Sequence, residues 1–221
     1  MFVAEMNQML DRLDVKHDCY VIAALYQFVN IKQLEVLRQQ LQQICDKNEA
    51  LGTILLASEG INGTIAAPRS GMTYFLEWLE SDGRFDNLSL KFSISPDQPF
   101  LRMKVRPKRE IVTMGRPEIN PAKRTGTHID PADWNKLISD PDVLLIDTRN
   151  TYETAIGMFD GAVDPMTKSF RDFPDWAHDL SNQKEDRRPK KIAMYCTGGI
   201  RCEKASALMQ DMGFDEVYHL R

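Results

Sequence analysis

The sequence predicts two folded domains, an α+β domain followed by an α/β domain with a parallel sheet, in 221 residues. Apolar segments of the first half follow the order β-α-β-β-α-β, and fully apolar strands alternate with helices in the second half. A stretch with several prolines and glycines but no apolar period separates the two halves. A composition of 43% hydrophobic and 27% charged residues is that of an ordinary folded protein rather than a disordered or fibrous one.

The first domain is predicted at residues 19–113, after an N-terminal extension of residues 1–18. Compact or alternating apolar runs predict strands at 19–28, 51–57, 64–67, 90–94 and 103–112. Helical spacing of apolar residues predicts two helices, one with Leu34, Leu37, Leu41 and Ile44 and one with Met72, Phe75, Leu76 and Leu79. The turn formers SEGING at 58–63 predict a hairpin. This order is that of a ferredoxin-like fold.

A linker is predicted at 114–126 and the second domain at 127–221. Asp130 followed by Pro131 is typical of a helix N-cap and first helical residue. Strands are predicted at 143–147, 161–163, 191–195 and 216–220, and helices at 173–180 and 205–212, the last ending at Gly213. This alternation predicts a parallel sheet.

The net charge of −4 argues against general nucleic-acid binding, and we expect no DNA partner. However, residues 102–124 hold eight Lys/Arg and two Glu, a local +6 that leaves −10 on the rest of the chain. One interpretation is an anion-binding surface, with Lys104, Arg106, Lys108 and Arg109 as candidates for holding a ligand. The other is a solvated strand and linker.

Neither a membrane-spanning run nor a signal-peptide pattern occurs, so we expect no membrane partner and a cytoplasmic location. The four cysteines form no C-x-x-C pair and are expected to be free thiols. The four histidines are His17, His128, His178 and His219. They lie far apart with no ligand spacing, so the sequence predicts no metal site.

The densest chemical signal is CTGGIRC at 196–202, between a buried strand and a helix. Ligands bind at the carboxyl ends of strands in open α/β sheets, so Cys196 is the candidate catalytic nucleophile. The residues expected to form an anion-binding loop around a lowered-pKa thiolate are Thr197, Gly198, Gly199, Ile200 and Arg201. The alternative is an inert buried cysteine before a glycine-rich turn. A cysteine phosphatase is disfavoured, because its C-x5-R loop has five intervening residues whereas four separate Cys196 from Arg201.

Three further residues are candidates for the pocket. Cys202 is either a resolving thiol for an oxidised Cys196 or a small packing residue. Arg149 and Arg171 either face the pocket or form ordinary surface or ion-pair groups.

The loop, together with VLLIDTRNTYE and DGAVDP upstream, resembles the rhodanese (sulfurtransferase) domain over roughly residues 125–221. Asp147, Arg149 and Glu153 fit its D-x-R-x-x-x-E pattern. The motifs EGINGT, SFRDFP and YCTGGIRCEKASA extend the likeness to nearly the whole chain, which resembles the rhodanese-like tRNA uridine hydroxylase family.

This resemblance implies oxygen-dependent conversion of the wobble uridine of tRNA to 5-hydroxyuridine. Cys196 would be essential, the tRNA anticodon region the partner, and molecular oxygen the co-substrate, with no other cofactor identified. Our mechanistic hypothesis is addition of the Cys196 thiolate to uracil C6, while the basic residues hold backbone phosphates. The alternative is sulfur transfer through a Cys196 persulfide. The resemblance continues with a glycine-containing turn and a cysteine-bearing tail after Arg221, so we expect the second domain to be truncated here.

Overall fold

The computed structural model describes residues 1–13, 19–184 and 187–221, and the chain forms two compact units, Met1–Ile111 and Val112–Arg221. No helix within the described ranges is both long enough and apolar enough to cross a bilayer.

The first unit is built on one five-stranded sheet. Its elements are α1 (Phe2–Arg12), β1 (Tyr20–Phe28), α2 (Leu34–Lys47), β2 (Leu51–Ala57), β3 (Gly60–Pro68), α3 (Arg69–Ser81), β4 (Ser89–Ser95) and β5 (Met103–Pro107). The strands lie in the order β4-β1-β3-β2-β5, and every neighbouring pair is antiparallel except β2 with β5. The predicted β-α-β-β-α-β order is confirmed, and β5 adds a strand at one edge.

The buried face of this sheet carries alternate residues of β1, Val21, Ala23 and Leu25, which join one apolar core with residues of α2 and α3. The N-terminal extension also contributes to this core. Phe2, Met6 and Leu10 recur every four residues and give α1 a buried stripe that the sequence analysis did not recognise.

Two predicted strand boundaries in this unit are wrong. β3 begins at Gly60, so the turn before it is only Ser58 and Glu59. Gly60 has a φ of 151°, and a Cβ there would lie 2.0 Å from the carbonyl oxygen of Gln27, which explains the glycine at this position. β5 ends at Pro107, which has no N–H to donate to a neighbouring strand.

The second unit is built on a four-stranded parallel sheet. Its elements are β6 (Thr127–Ile129), α4 (Pro131–Ile138), β7 (Val143–Asp147), α5 (Thr151–Thr154), α6 (Phe173–Ser181), β8 (Lys191–Tyr195), α7 (Ile200–Asp211) and β9 (Glu216–Leu220). The strand order is β6-β9-β8-β7, and all pairs are parallel as predicted. The strand predicted at 161–163 is wrong, because Val163 forms only an isolated bridge to Ile146.

Both faces of this sheet are covered, which is why β7 and β8 are almost continuously apolar. Ile192 and Met194 pack in one cluster with α6 and α7, while Ala193 and Tyr195 pack in another with Trp134 of α4. The segment predicted as a linker, residues 114–126, has no helix or strand. Its Met114 and Ile119 are nevertheless buried in the second core, so it packs as part of the second unit.

Candidate active site

The candidate nucleophile Cys196 follows the carboxyl end of β8, and the loop after it leads directly into α7. Gly199 has a φ of 88°, which turns its backbone N–H towards the cysteine, 3.1 Å from Sγ. The N-terminus of α7 adds partial positive charge at the same place. The glycine-rich sequence thus forms a loop whose amide groups converge on one sulfur atom.

The surroundings of Cys196 stabilise its thiolate. The pKa of Cys196 is lowered to about 5, chiefly because the Cys202 thiol donates a hydrogen bond to its sulfur. The positive charge of Arg201 and backbone N–H groups also lower the pKa, and they outweigh the opposing effect of burial. Cys196 is therefore an anion at neutral pH, the form in which cysteine acts as a nucleophile.

The sequence leaves two roles open for Cys202, a resolving thiol or a small packing residue. Its side chain is fully buried, and burial raises its pKa well above the usual value, so it remains a neutral thiol. The Thr148 hydroxyl lies 3.5 Å from its sulfur. Cys202 packs in the core and also acts as the hydrogen-bond donor to Cys196, a role that sequence spacing does not reveal.

A partly buried ion pair fixes the loop to α5. Both terminal guanidinium nitrogens of Arg201 donate to the Glu153 carboxylate, at 2.6 and 2.8 Å, and the Thr197 hydroxyl donates to the same carboxylate at 2.6 Å. These contacts, chiefly with Arg201, lower the pKa of Glu153 to about 2. Asn150 and Glu153 form the capping box of α5, which orients the carboxylate. Glu153 of the D-x-R-x-x-x-E pattern therefore positions the arginine of the cysteine loop.

The same pattern positions a second arginine. Arg149 donates to both oxygens of the fully buried Asp147 carboxylate and, at 2.6 Å, to the carbonyl of Gly157. Its guanidinium lies over the Tyr195 ring, 5.6 Å from the centroid. The hydrogen bonds that Arg149 donates to Asp147 raise the pKa of Arg149, so it holds a fixed positive charge.

A cavity of 430 Å³ opens beside the nucleophile. It is lined by Arg149, Gly157, Met158, Phe159, Tyr195, Cys196 and Thr197. Its volume falls in the usual range for small-molecule sites. Arg171, the other candidate arginine, has an exposed side chain in the short helical turn Phe170–Asp172 and does not line this cavity.

Exposed apolar side chains are concentrated in the segment that contributes to the cavity wall, a feature that the sequence analysis missed. They are Tyr152, Ile156, Met158, Phe159, Val163 and Met166. Phe159 packs edge-on against Tyr195, with ring centroids 4.7 Å apart. Large apolar side chains exposed beside a reactive group indicate a binding surface.

The basic candidates lie in the first unit. Lys104 and Arg106 alternate with the buried Val105 on β5, and Arg106, Lys108 and Arg109 are exposed. Partial burial and the neighbouring Arg102 and Arg106 charges lower the pKa of Lys104.

The sheet register adds a further basic residue, Lys91 of β4. It stands in one row across the five strands with Lys104, through Ala24, Thr64 and Thr53. Opposed residues point to the same side of a sheet, so the two lysines occupy the outer face at its two edges. We call Lys91, Lys104 and Arg106 the basic face.

The sequence predicts no metal site because the four histidines lie far apart along the chain. For His128 and His219 that reasoning is wrong, because the fold brings the two residues together. Parallel pairing of β6 with β9 places His128 opposite His219, with ring centroids 4.1 Å apart. His178 is hydrogen-bonded to Asn182 on an exposed helix surface, and His17 lies outside the described residues.

Two family models match the chain. A "UPF0176 acylphosphatase like domain" matches residues 20–111, and a "Rhodanese-like domain" matches residues 130–221. A relative from Agrobacterium fabrum, named tRNA uridine(34) hydroxylase, is 55% identical over 96% of this chain and 66% of its own length. A relative of the same name from Sinorhizobium medicae is 55% identical over 91% of this chain and 63% of its own length.

The fold and the cysteine loop therefore define a rhodanese-like protein with an acylphosphatase-like domain in front. The chain belongs to the family whose members, such as these two relatives, are named tRNA uridine(34) hydroxylase. It spans just under two thirds of the length of those relatives.

Proposed function

We propose that this chain carries the catalytic site of an enzyme that hydroxylates the wobble uridine of tRNA to 5-hydroxyuridine, with molecular oxygen as co-substrate. The observation that carries the proposal is the Cys196 thiolate, held in a converging loop beside a 430 Å³ cavity. The family membership supports the choice of tRNA as substrate. The anticodon loop is the expected site of action, and a cytoplasmic location follows from such a substrate.

The Cys196 thiolate adds to C6 of the uracil ring and forms a carbon–sulfur bond. The electron pair of the C5–C6 double bond moves towards the C4 carbonyl, which makes C5 electron-rich and able to react with oxygen. Arg149 is placed to stabilise the negative charge on that carbonyl, because it lines the same cavity as Cys196.

Loss of the C5 proton and expulsion of the Cys196 thiolate then restore the C5–C6 double bond and release the product. The overall reaction inserts one oxygen atom of O2 and reduces the other to water. Two electrons and two protons are therefore needed, and we assign them to two external thiol groups that are oxidised to a disulfide.

The cavity suits an unpaired base. A base inside a duplex cannot reach a cysteine that lines such a cavity, whereas an anticodon-loop base is unpaired and can be turned outward. Phe159 offers an aromatic surface on which such a base stacks. Burial raises the pKa of Tyr195 to about 12, so its hydroxyl remains a neutral hydrogen-bonding group in the cavity.

The basic face, together with Lys108 and Arg109, is the proposed contact surface for RNA backbone. Its charges stand on the outer side of the sheet, opposite the core of the first unit. Lysine and arginine contacts to phosphates supply affinity without reading sequence, which suits a substrate selected at the anticodon.

The test is nucleoside mass spectrometry of tRNA incubated with the chain and a thiol, in air and under argon. The expected result is a gain of one oxygen on uridine 34 that requires air and is lost in Cys196→Ala. Full hydroxylation by a folded Cys196→Ala variant would exclude the proposed chemistry.

Sulfur transfer is the second candidate, and the rhodanese-like loop favours it specifically. The six residues from Cys196 to Arg201 surround a space at the sulfur atom where a persulfide can be held by amide groups. Thiocyanate formation from thiosulfate and cyanide, without oxygen gain on tRNA, would establish this candidate in place of the first.

A further inference from the structure

A second cluster of reactive side chains lies on β6, β9 and the first turn of α7, and the proposed reaction does not use it. His128 Nε2 lies 2.9 Å from Glu203 Oε1, and His219 Nε2 lies 4.0 Å from Glu203 Oε2. One ligand atom from each residue lies within 4.8 Å of the others. Thr125 adds a hydroxyl 2.8 Å from Glu203 Oε2.

The fold brings these residues together over long sequence distances. His128 and His219 are direct partners in the parallel register of β6 and β9, so both imidazoles leave the sheet on the same side. Glu203 reaches them from α7, which packs against β9. A cluster drawn from three separate elements can link those elements through one ligand.

Two imidazoles and a carboxylate form a donor set typical of zinc and other first-row transition metals. Metal–ligand distances of about 2.0–2.2 Å place two ligand atoms of a tetrahedral zinc about 3.4 Å apart. With one ligand atom taken from each residue, the three atoms lie within 4.8 Å of one another, so each pair must approach by at most about 1.4 Å to reach that separation. Small side-chain rotations therefore suffice to bring the three ligands to one ion.

Burial prepares two of the ligands for a cation. The side chains of His219 and Glu203 are 1% and 11% exposed. Because His219 is so nearly buried, its imidazole ring is shielded from bulk water. A shielded carboxylate is stabilised by a compensating positive charge. His128, at 34% exposure, leaves the cluster open to solvent on one side, which gives an ion a path of entry.

We propose that His128, Glu203 and His219 bind one divalent first-row transition-metal ion, with zinc as the expected occupant. Three protein ligands leave a fourth position for water, which the Thr125 hydroxyl is placed to hydrogen-bond. The ion ties β6 and β9 to the first turn of α7, the helix that begins at the end of the cysteine loop. This inference is independent of the proposed reaction.

The test uses the whole chain after removal of metals with a chelator. Titration with Co²⁺, followed by visible absorption, should give one equivalent bound with the spectrum of a four-coordinate ion. Titration with Zn²⁺ should raise the temperature of thermal unfolding, because the ion binds only the folded arrangement. His128→Ala should weaken Co²⁺ binding more than about 100-fold, since even second-shell changes cost 10–100-fold.

Two variants serve as controls. His178→Ala removes an exposed histidine outside the cluster and should leave the Co²⁺ affinity unchanged. Cys196→Ser should also retain Co²⁺ binding, because the proposed ligands contain no sulfur. The proposal is overturned if the wild type binds no Co²⁺, if His128→Ala binds it as tightly as the wild type, or if the complex shows sulfur-to-cobalt charge transfer that disappears in Cys196→Ser.

Discussion

The hydrogen bond from Cys202 to Cys196 makes a sharp prediction about thiol reactivity. It is the largest contribution to a Cys196 pKa of about 5. A hydrogen bond to a charged group contributes about 1.5–3 kcal/mol, and one pKa unit corresponds to about 1.4 kcal/mol. Removing the donor in Cys202→Ala should therefore raise the pKa of Cys196 by about 1–2 units, to about 6–7.

The assay is the rate of Cys196 alkylation by iodoacetamide as a function of pH, read by peptide mass spectrometry. The other cysteines do not interfere, since each lies in a different peptide and burial raises the pKa of Cys45 to about 12. Cys202→Ser is the matched control, because its hydroxyl can still donate and the alkylation midpoint should stay near 5. Loss of one buried atom in Cys202→Ala should cost about 0.5–1.5 kcal/mol in stability, which thermal unfolding measures separately.

Two outcomes would refute this reasoning. A midpoint that stays near 5 in Cys202→Ala would show that Arg201 and the loop amides alone hold the thiolate. A midpoint near the ordinary cysteine value in the wild type would show that the loop does not stabilise an anion.

Three further predictions concern pH, the ion pair and the basic face. The pKa of Cys196 is depressed in the folded state, so between about pH 5 and 8.5 the unfolded state binds more protons and stability rises with pH, by up to about 5 kcal/mol. Urea unfolding should show that the stability difference between the wild type and Cys196→Ser grows with pH, and a constant difference would contradict this prediction. Glu153→Gln weakens the ion pair with Arg201, so it should lower the free energy of unfolding by about 1–3 kcal/mol and reduce uridine hydroxylation at least tenfold. Unchanged hydroxylation activity would show that Arg201 does not need Glu153 to hold its position. Lys104→Ala with Arg106→Ala should weaken tRNA binding and reduce its salt dependence by about one unit of log–log slope per residue, while Lys136→Ala in the second unit should change neither.

Much of the fold could be predicted because its elements carry strong periodic patterns. The four apolar residues of α2 repeat at helical spacing, and β8 is apolar after Lys191 because both of its faces are buried. Where the sequence pattern was weak or short, the element was missed or wrongly predicted. The stripe of α1 is interrupted by acidic and amide residues, and residues 161–163 are too few to distinguish a strand from a single bridge.

The cysteine loop could be predicted because its residues are contiguous, whereas its supports could not. The Glu153–Arg201 pair spans 48 positions, and the donor role of Cys202 depends on how the first turn of α7 is placed over Cys196. The histidine cluster shows the limit most clearly. Parallel strands bring His128 and His219 together although they are distant in sequence. The spacing of possible ligands along the chain therefore does not predict the cluster.

The central claim is that the Cys196 thiolate attacks C6 of a tRNA uracil, and covalent trapping tests it most directly. An anticodon stem-loop with 5-fluorouridine at the wobble position should form an adduct with the chain, because fluorine replaces the C5 proton whose loss precedes release. Peptide mass spectrometry should locate the RNA on Cys196, and Cys202→Ser should still form the adduct. An adduct on another residue, or wild-type protein that hydroxylates the unmodified stem-loop yet forms none with the fluorinated one, would contradict the claim.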